Sequence, residues 1–542
     1  MYTIIRRYFS KDFRKAELIE RLASRIWDVA VVGGGITGVA VARGAARAGL
    51  SVVLFEQRDF ACGTSSRSSK MIHGGLRYLK QAKIGLVKEG ARERERLLQE
   101  GAGLVEPLKY LYLIHEGDKM RPWMLSSGLR LYQALAKSKR PFGRLNEMAC
   151  WLSAPNVRLK GLKAAFSYFD GIVDDARLVY RVLREAERFG AITMNYTKVE
   201  GLLLNAKGEV AGLAVSDLRS GATHEIQARV VVNAAGALGD KLRAHLGKPA
   251  MLRPLRGAHL VFPQERLPVA LSVTFAHHKD GRPIYAFPWQ GVTLVGTTDM
   301  DHKASLDEEP VASEAEVSYL LEGVERRFLE LGLGQKDMLG TYAGIRPVVG
   351  RGDRPPSEES REEALLDEQG LITITGGKLT TFRVMAQKTL ASILKRISGR
   401  GLQPKGRPVG LEPTPEGTLS LAMESYPELG LPGTLRLAGR YGQDLWAFMK
   451  GVNHADLKTI QGTPYSFAEL VHAAENERIV HLDDLLLRRT RLGHLLPKGG
   501  AMLGGKLKAR LLAPLGWDES RWNAEWKDYL ALVDRAYAPK GA

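Results

Sequence analysis

Residues 27–78 read WDVAVVGGGITGVAVARGAARAGLSVVLFEQRDFACGTSSRSSKMIHGGLRY, and the rest of the chain is organised around this stretch. The run 27–32 is short, apolar and rich in valine; Gly33, Gly35 and Gly38 follow at the G-x-G-x-x-G spacing and lead into a helix of small residues. That order is strand, tight turn, helix. Gly33 permits the turn, Gly35 lets backbone approach a diphosphate, and Gly38 lets helix and strand pack closely, so a diphosphate meets the outward N–H groups of the helix start. Gly49 closes the helix, and the strand at 51–55 ends on Glu56, where a carboxylate accepts the hydroxyl hydrogens of an unphosphorylated ribose and repels a 2′-phosphate. Either NAD or FAD satisfies this pattern. The hydroxyl-rich segment GTSSRSSK at 63–70 favours FAD, because it offers many short donors for a second visit to the diphosphate and the flavin, where a nicotinamide fold continues into its next βα unit.

Length and charge set outer bounds. At 542 residues with 44% hydrophobic content, the chain has room for two or three domains with substantial cores. No uncharged apolar run approaches the ~20 residues of a spanning helix, and the first 25 residues lack the apolar core and cleavage site of a secretory signal. Two cysteines, Cys62 and Cys150, exclude a disulfide framework, fit a reducing cytosol and have no metal-ligand spacing. The 78 Lys and Arg outnumber the 60 Asp and Glu, a net +18 that calls for an acidic partner: nucleic acid, anionic membrane or phosphorylated substrate. No basic block interleaved with stacking aromatics marks a nucleic-acid reader. Residues 1–26 form a basic arm in which seven Lys and Arg accompany Tyr2, Ile4, Ile5, Tyr8, Phe9 and Phe13, a pattern of either a membrane-surface anchor or a solvated tail.

Further along, 80–101 has apolar positions at helical spacing among dense charges, and 104–160 reads as an excursion into another layer with a helix near 124–137. Asp174 and Asp175 precede an amphipathic run and read as helix N-caps rather than acid–base catalysts. RVVVNAAGALGD at 229–240 is a buried strand entering a small-residue turn, a strand of the nucleotide sheet that revisits the cofactor. From 251 to 300 strand patterns dominate and predict a mostly antiparallel sheet over the cofactor; a charged helix comes next at 312–333. The segment 371–394 is strand, double glycine, helix, whose N–H groups suit the anionic edge of a reduced flavin. The proline- and glycine-rich 403–417 is the best linker, and 418–540 reads as a helical domain.

Taken in order, VVGGGITG, TSSRSSKMIHGGLRYL, DDARLV, NAAG, RGAHLVFP, PWQGVTLVGTTD, GIRPVV and GGKLTTFR resemble the FAD-dependent glycerol-3-phosphate dehydrogenases over about 27–390, and LDDLLLRRTRLG near 482–493 resembles that family's helical C-terminal domain more loosely. Departures are Met71 for the usual leucine, Asn-Ala-Ala-Gly for Asn-Ala-Thr-Gly, and no calcium-binding helix-loop-helix, which points to the bacterial type. The resemblance, together with the pattern read along the chain, implies an α/β fold: a Rossmann-like FAD-binding domain (27–103, 161–240 and 340–398), an inserted, mostly antiparallel substrate domain (104–160 and 241–339), a linker (399–417) and a helical domain (418–542). It further implies oxidation of sn-glycerol 3-phosphate to dihydroxyacetone phosphate, electrons passed to a membrane quinone, and a cytoplasmic enzyme held peripherally at the inner face of the cell membrane; a homodimer stays open.

Removing hydride from a secondary alcohol needs a flavin beside the carbon, a proton acceptor and cations for the phosphate. The resemblance puts His259 as base or hydroxyl ligand, Arg77 with Tyr78 on the phosphate, Arg346 on the substrate oxygens and Lys378 at the flavin edge. It assigns the cofactor to Gly33, Gly35, Gly38, Glu56, Thr64, Ser65, Ser69, Lys70, His73, Gly74, Val199, Ala235, Gly236, Gly377, Lys378, Leu379 and Thr380. Rival readings are an oxidase that reduces oxygen, an FAD-holding membrane-docked sensor without turnover, and an amino-acid oxidase of the same broad fold.

Overall fold

The computed structural model describes residues 15–329, 331–350, 359, 362–398 and 409–539; side chains at 15–18, 77, 80 and 81 are outside that description. The first 14 residues of the basic arm and positions 399–408 of the linker thus lie outside the described residues. The remainder of the arm belongs to the fold, contrary to the reading of 1–26 as one unit: the helix Lys15–Ala23 buries Ile19 and Leu22, and Trp27 Nε1 donates to Leu22 O at 2.9 Å. Its apolar residues meet the sheet because the strand begins only four residues later, at Trp27.

Strand Trp27–Val32 sits mid-sheet with parallel neighbours on both sides, Val52–Phe55 and Thr223–Asn233. Ile192–Met194 and Leu371–Thr375 extend the parallel set, Ala364–Glu368 closes one edge antiparallel, and the hairpin Thr197–Leu204 and Val210–Asp217 continues from Thr223–Asn233. Both faces of the parallel strands are covered, which is why they read as near-continuous apolar runs. Helices Ile36–Arg47, Asp175–Arg188 and Phe382–Ser398 supply much of that cover in one apolar core.

The second sheet runs in the order Met300–Asp301, Leu252–Pro263, Val292–Gly296, Pro283–Trp289, Ser272–Ala276, Val105–His115, Leu162–Val173, Met71–Ile72. Its described pairings are antiparallel except Ser272–Ala276 with Val105–His115. Three strands allotted by the sequence pattern to the nucleotide-binding domain lie here instead. Gly340–Val349 pairs with Leu252–Pro263 along its whole length, and Leu162–Val173 and Met71–Ile72 pair with each other. An apolar strand carries its period in sequence but not its partner, so adjacency along the chain misassigned them. Helix Glu314–Arg327 packs on one face; helix Pro122–Ala136 and the C-terminal helices pack on the other.

Between Thr418 and Ala536 the named elements are all helices joined by loops, including a π-helical turn at Asp484–Arg489. This layer is fastened by buried ion pairs. Arg488 and Arg489 meet Asp59 at 2.5 and 2.7 Å, Arg440 and Arg491 meet Asp174 at 2.9 and 3.0 Å, and Arg177 meets Glu477 at 2.8 Å. Asp174 is the N-cap of its helix, accepting from Arg177 N at 3.3 Å, as its position ahead of the apolar periodicity predicts. Asp175 is not a cap: its carboxylate takes Lys70, Arg491 and Ser68. No described helix is long and apolar enough to cross a membrane.

Candidate active site

Four parallel strands end at the same place. Val32 leads to Gly33, Phe55 to Glu56, Asn233 to Ala234 and Ala235, and Thr375 to Gly376 and Gly377; all of these except Asn233 and Thr375 wall one cavity of about 870 Å³ whose opposite wall is the second sheet. Ligands of open parallel sheets bind at such carboxyl ends.

The glycine turn is sterically committed. Gly33 has φ +108°, and a Cβ there would stand 2.5 Å from Ala234 O; a Cβ on Gly38 would stand 1.9 Å from Gly33 O, so Gly38 packs the turn while Gly33 and Gly35 face the cavity. No side chain caps the helix that starts at Ile36, although Ile36 N donates to Ser65 Oγ at 3.0 Å. Its first turn therefore offers N–H groups and positive helix-end potential to an anion. Glu56 is buried on the wall, with Gly34 N on one carboxylate oxygen at 2.7 Å and Arg58 N on the other at 2.9 Å; burial pushes its carboxyl pKa up. Thr64, whose hydroxyl donates to Ile345 O, joins Ser65, Ser69, Val199, Ala235, Gly236 and the segment Gly377–Thr380 on the same cavity wall. His73 lines it too, its N–H donating to Thr380 Oγ1 at 3.0 Å. Gly377 has φ +70° and a Cβ would collide with Met385 Sδ at 2.3 Å, which explains the double glycine.

Lys70 and Gly74 face elsewhere. Lys70 is buried, with Nζ 3.0 Å from Asp175 and 4.8 Å from the Tyr342 ring centroid; desolvation lowers its pKa to about 8 against the pull of Asp175. Gly74 donates its N–H to Tyr132 OH at 2.7 Å, and a Cβ there would press on Tyr132 and Ala91. Both sit in the motif, but a chain crossing between sheets turns alternate residues inward.

Arg346, Lys378 and Tyr78 line the cavity; the side chain of Arg77 lies outside the described residues. Lys378 Nζ sits 4.0 Å above the Tyr78 ring centroid. Arg346 is oriented by Thr298 O at 3.1 Å, Asp299 at 2.9 Å and Thr297 Oγ1 at 2.9 Å. His259 is not on the wall. Its ring is buried one layer behind, Nε2 2.9 Å from Ser69 Oγ, stacked on Tyr342 with centroids 4.7 Å apart. Gly296 opposite makes room, since a Cβ there would stand 2.2 Å from the ring. Desolvation first, then the Arg346 and Lys70 cations, push its pKa well below the ordinary imidazole range, so the ring is neutral.

Sequence reasoning missed Asp299 and Arg282. Asp299 holds Arg346 and also meets the cavity-lining Arg282 at 3.3 Å. The acid that ends the GTTD segment was the available signal; Arg282 sits in a turn-like DGRP with none.

A glycine turn on a helix start, a buried carboxylate ending the second strand and a long cavity under an antiparallel sheet define a flavin-dependent oxidoreductase. Residues 28–387 match the FAD dependent oxidoreductase family, and 423–522 match the C-terminal domain of alpha-glycerophosphate oxidase. The chain is 33% identical to the aerobic glycerol-3-phosphate dehydrogenase of Staphylococcus haemolyticus over 88% of each chain. The glycerol-3-phosphate dehydrogenase of Bacillus halodurans complexed with FAD superposes with TM-score 0.76 at 26% identity, covering 96% of this chain and 97% of that one. The L-alpha-glycerophosphate oxidase of Mycoplasma pneumoniae, at 18% identity and TM-score 0.56 over 72% of this chain and 99% of that one, shares the fold. The chain belongs to the FAD-dependent oxidoreductases and, among them, to the family of the aerobic glycerol-3-phosphate dehydrogenases.

Proposed function

We propose that this enzyme oxidises sn-glycerol 3-phosphate to dihydroxyacetone phosphate and passes the electrons to a quinone of the cell membrane, on whose inner face it docks peripherally. The observation that carries the reading is the single cavity joining the Gly33–Glu56 cradle to a wall bearing Arg346, Lys378 and Arg282, in a chain of this family.

FAD fits the cradle: an uncapped helix start for the diphosphate, Glu56 for a ribose, and the glycines at 376–377 leading to Lys378 for the flavin edge. When bound, it supplies the hydride acceptor. Arg346, fixed in orientation by Asp299, provides with Lys378 the positive charge that a phosphate dianion and a developing carbonyl oxygen require. Ser69 Oγ stands on the wall with neutral His259 behind it, so the proton of a bound hydroxyl reaches Nε2 through one serine relay. Arg77 with Tyr78 is assigned to the phosphate.

The test is anaerobic flavin reduction. Wild-type holoenzyme is expected to bleach on addition of sn-glycerol 3-phosphate, and Arg346→Ala to keep its FAD while the reduction rate drops by about 10²–10³, the cost of removing an oriented charge donor from a closed site. Absence of bleaching rejects the substrate; near-wild-type reduction in the variant removes Arg346 from the site. Turnover with a soluble quinone analogue, set against oxygen consumption in an oxygen electrode, separates dehydrogenase from oxidase.

A further inference from the structure

Residues 119–163 carry ten Lys and Arg and a single acid, Glu147, half of the chain's net charge in a twelfth of its length. The segment builds one edge of the second sheet: strand Gly143–Leu145 is the edge, paired only with Leu162–Val173 among the described strands. Helix Pro122–Ala136 packs on one face of that sheet through Leu125, Leu129 and Tyr132, and helix Glu147–Ser153 on the other through Cys150. Outward from both helices point large apolar side chains. Trp123 is 67% exposed, Trp151 49%, Met148 64% and Leu152 68%. Monomers seldom display two tryptophans and two long aliphatics beside one sheet edge without a use for them.

We infer that this edge is the surface by which the enzyme docks on an anionic lipid bilayer. The inference rests on the proposed membrane association and names the face that serves it. Trp123 and Trp151 are the amphipathic rings that settle at a headgroup boundary, Leu152 and Met148 add apolar depth, and exposed Lys137, Lys139 and Arg144 lie between the two helices in the chain, where anionic headgroups supply the missing counter-charge. A protein partner would need its own acidic, apolar surface; a bilayer supplies both properties everywhere. The docking helix also reaches the active-site cavity, because Met124, Leu125 and Gly128 line it, so docking brings that wall to the lipid.

Co-sedimentation of the full-length holoenzyme with vesicles of equal parts phosphatidylglycerol and phosphatidylcholine tests this. Wild type is expected to sediment at low salt, less with phosphatidylcholine alone. Trp123→Ser with Trp151→Ser and Leu152→Ser, and separately Lys137→Glu with Lys139→Glu and Arg144→Glu, are each expected to weaken sedimentation by about tenfold or more while turnover with a soluble dye is unchanged. Removal of residues 1–14 is expected to leave most of the binding. If wild type sediments and both triple variants do too, this surface is wrong and the membrane reading stands. If wild type binds no vesicles, both are wrong. A concentration-dependent dimer in analytical ultracentrifugation that the apolar variant abolishes, with vesicle binding intact, overturns the proposal in favour of a second copy.

Discussion

Two regions of this molecule are rich in cations, and they use them in opposite ways. In the C-terminal helical layer, Arg440, Arg488, Arg489 and Arg491 have side chains no more than 5% exposed, each against a carboxylate of the nucleotide-binding part. Along residues 119–163 eight of the ten cations are exposed with one acid among them, although Arg140 and Lys163 reach Glu95 and Glu116 outside the segment. Formal charge treats the two sets alike. Their environment does not: a buried guanidinium requires its carboxylate, because desolvation without a partner costs several kcal/mol, whereas a solvated lysine requires nothing from the fold. The first set is therefore structural, and exposed members of the second such as Lys137, Lys139 and Arg144 are available for recognition.

The largest effect should come from breaking the buried set. Arg491→Ala removes one of the two cations that each of the buried carboxylates Asp174 and Asp175 holds, leaving Arg440 and Lys70, and is expected to cost about 3 kcal/mol in urea-induced unfolding, the lower end for a buried ion pair that loses one partner. A loss below 1 kcal/mol would show the cluster is solvated and the contrast false. Asp174→Asn sharpens the point through pH. Burial alone would raise the Asp174 carboxyl, but Arg491 and Arg440 outweigh it and hold the pKa well below the ordinary range. A carboxyl depressed in the folded state stabilises above its unfolded value of ~3.9, and that contribution is lost as pH falls from there toward the folded value. The variant should thus melt about 1.5–3 kcal/mol less stably at pH 5–8, with the gap narrowing only below pH ~4. A gap that closes by pH 6 would contradict the pairing. Smallest of all, Lys139→Ala should change stability by no more than about 0.5 kcal/mol, since an exposed lysine outside helix and strand contributes little. A destabilisation of 2 kcal/mol would mean this lysine serves the fold.

The legible parts of the site were those whose chemistry is local. Gly33, Gly35, Gly38 and Glu56 form one strand–turn–helix–strand unit, so spacing alone predicts that they face a common ligand, and they wall one cavity or pack its turn. Lys378 and the glycines before it are similarly local, a strand running into a helix. Arg346 belonged to a motif but to the other sheet. His259 shows the limit: its motif position is unchanged, yet it stands behind Ser69 because strand alternation and the room left by Gly296 turn the ring inward. Asp299 joins Arg346 and Arg282 from positions 47 and 17 residues distant, a meeting that no local pattern announces.

What the sequence by itself determined was the dinucleotide fold, the identity of the glycine turn and its acid, the helical C-terminal region, and the capping role of Asp174. Each depends on neighbours within a turn or a strand, where φ/ψ preferences and side-chain period act directly. Only the tertiary structure decided which sheet took strands 71–72, 162–173 and 340–349, that Lys70 and Asp175 pair inside the core instead of serving cofactor and cap, and which basic residues are buried with partners and which face outward. Strand pairing and charge burial are settled by contacts between residues tens to hundreds of positions apart, whose energies depend on desolvation and geometry that exist only once the chain has folded.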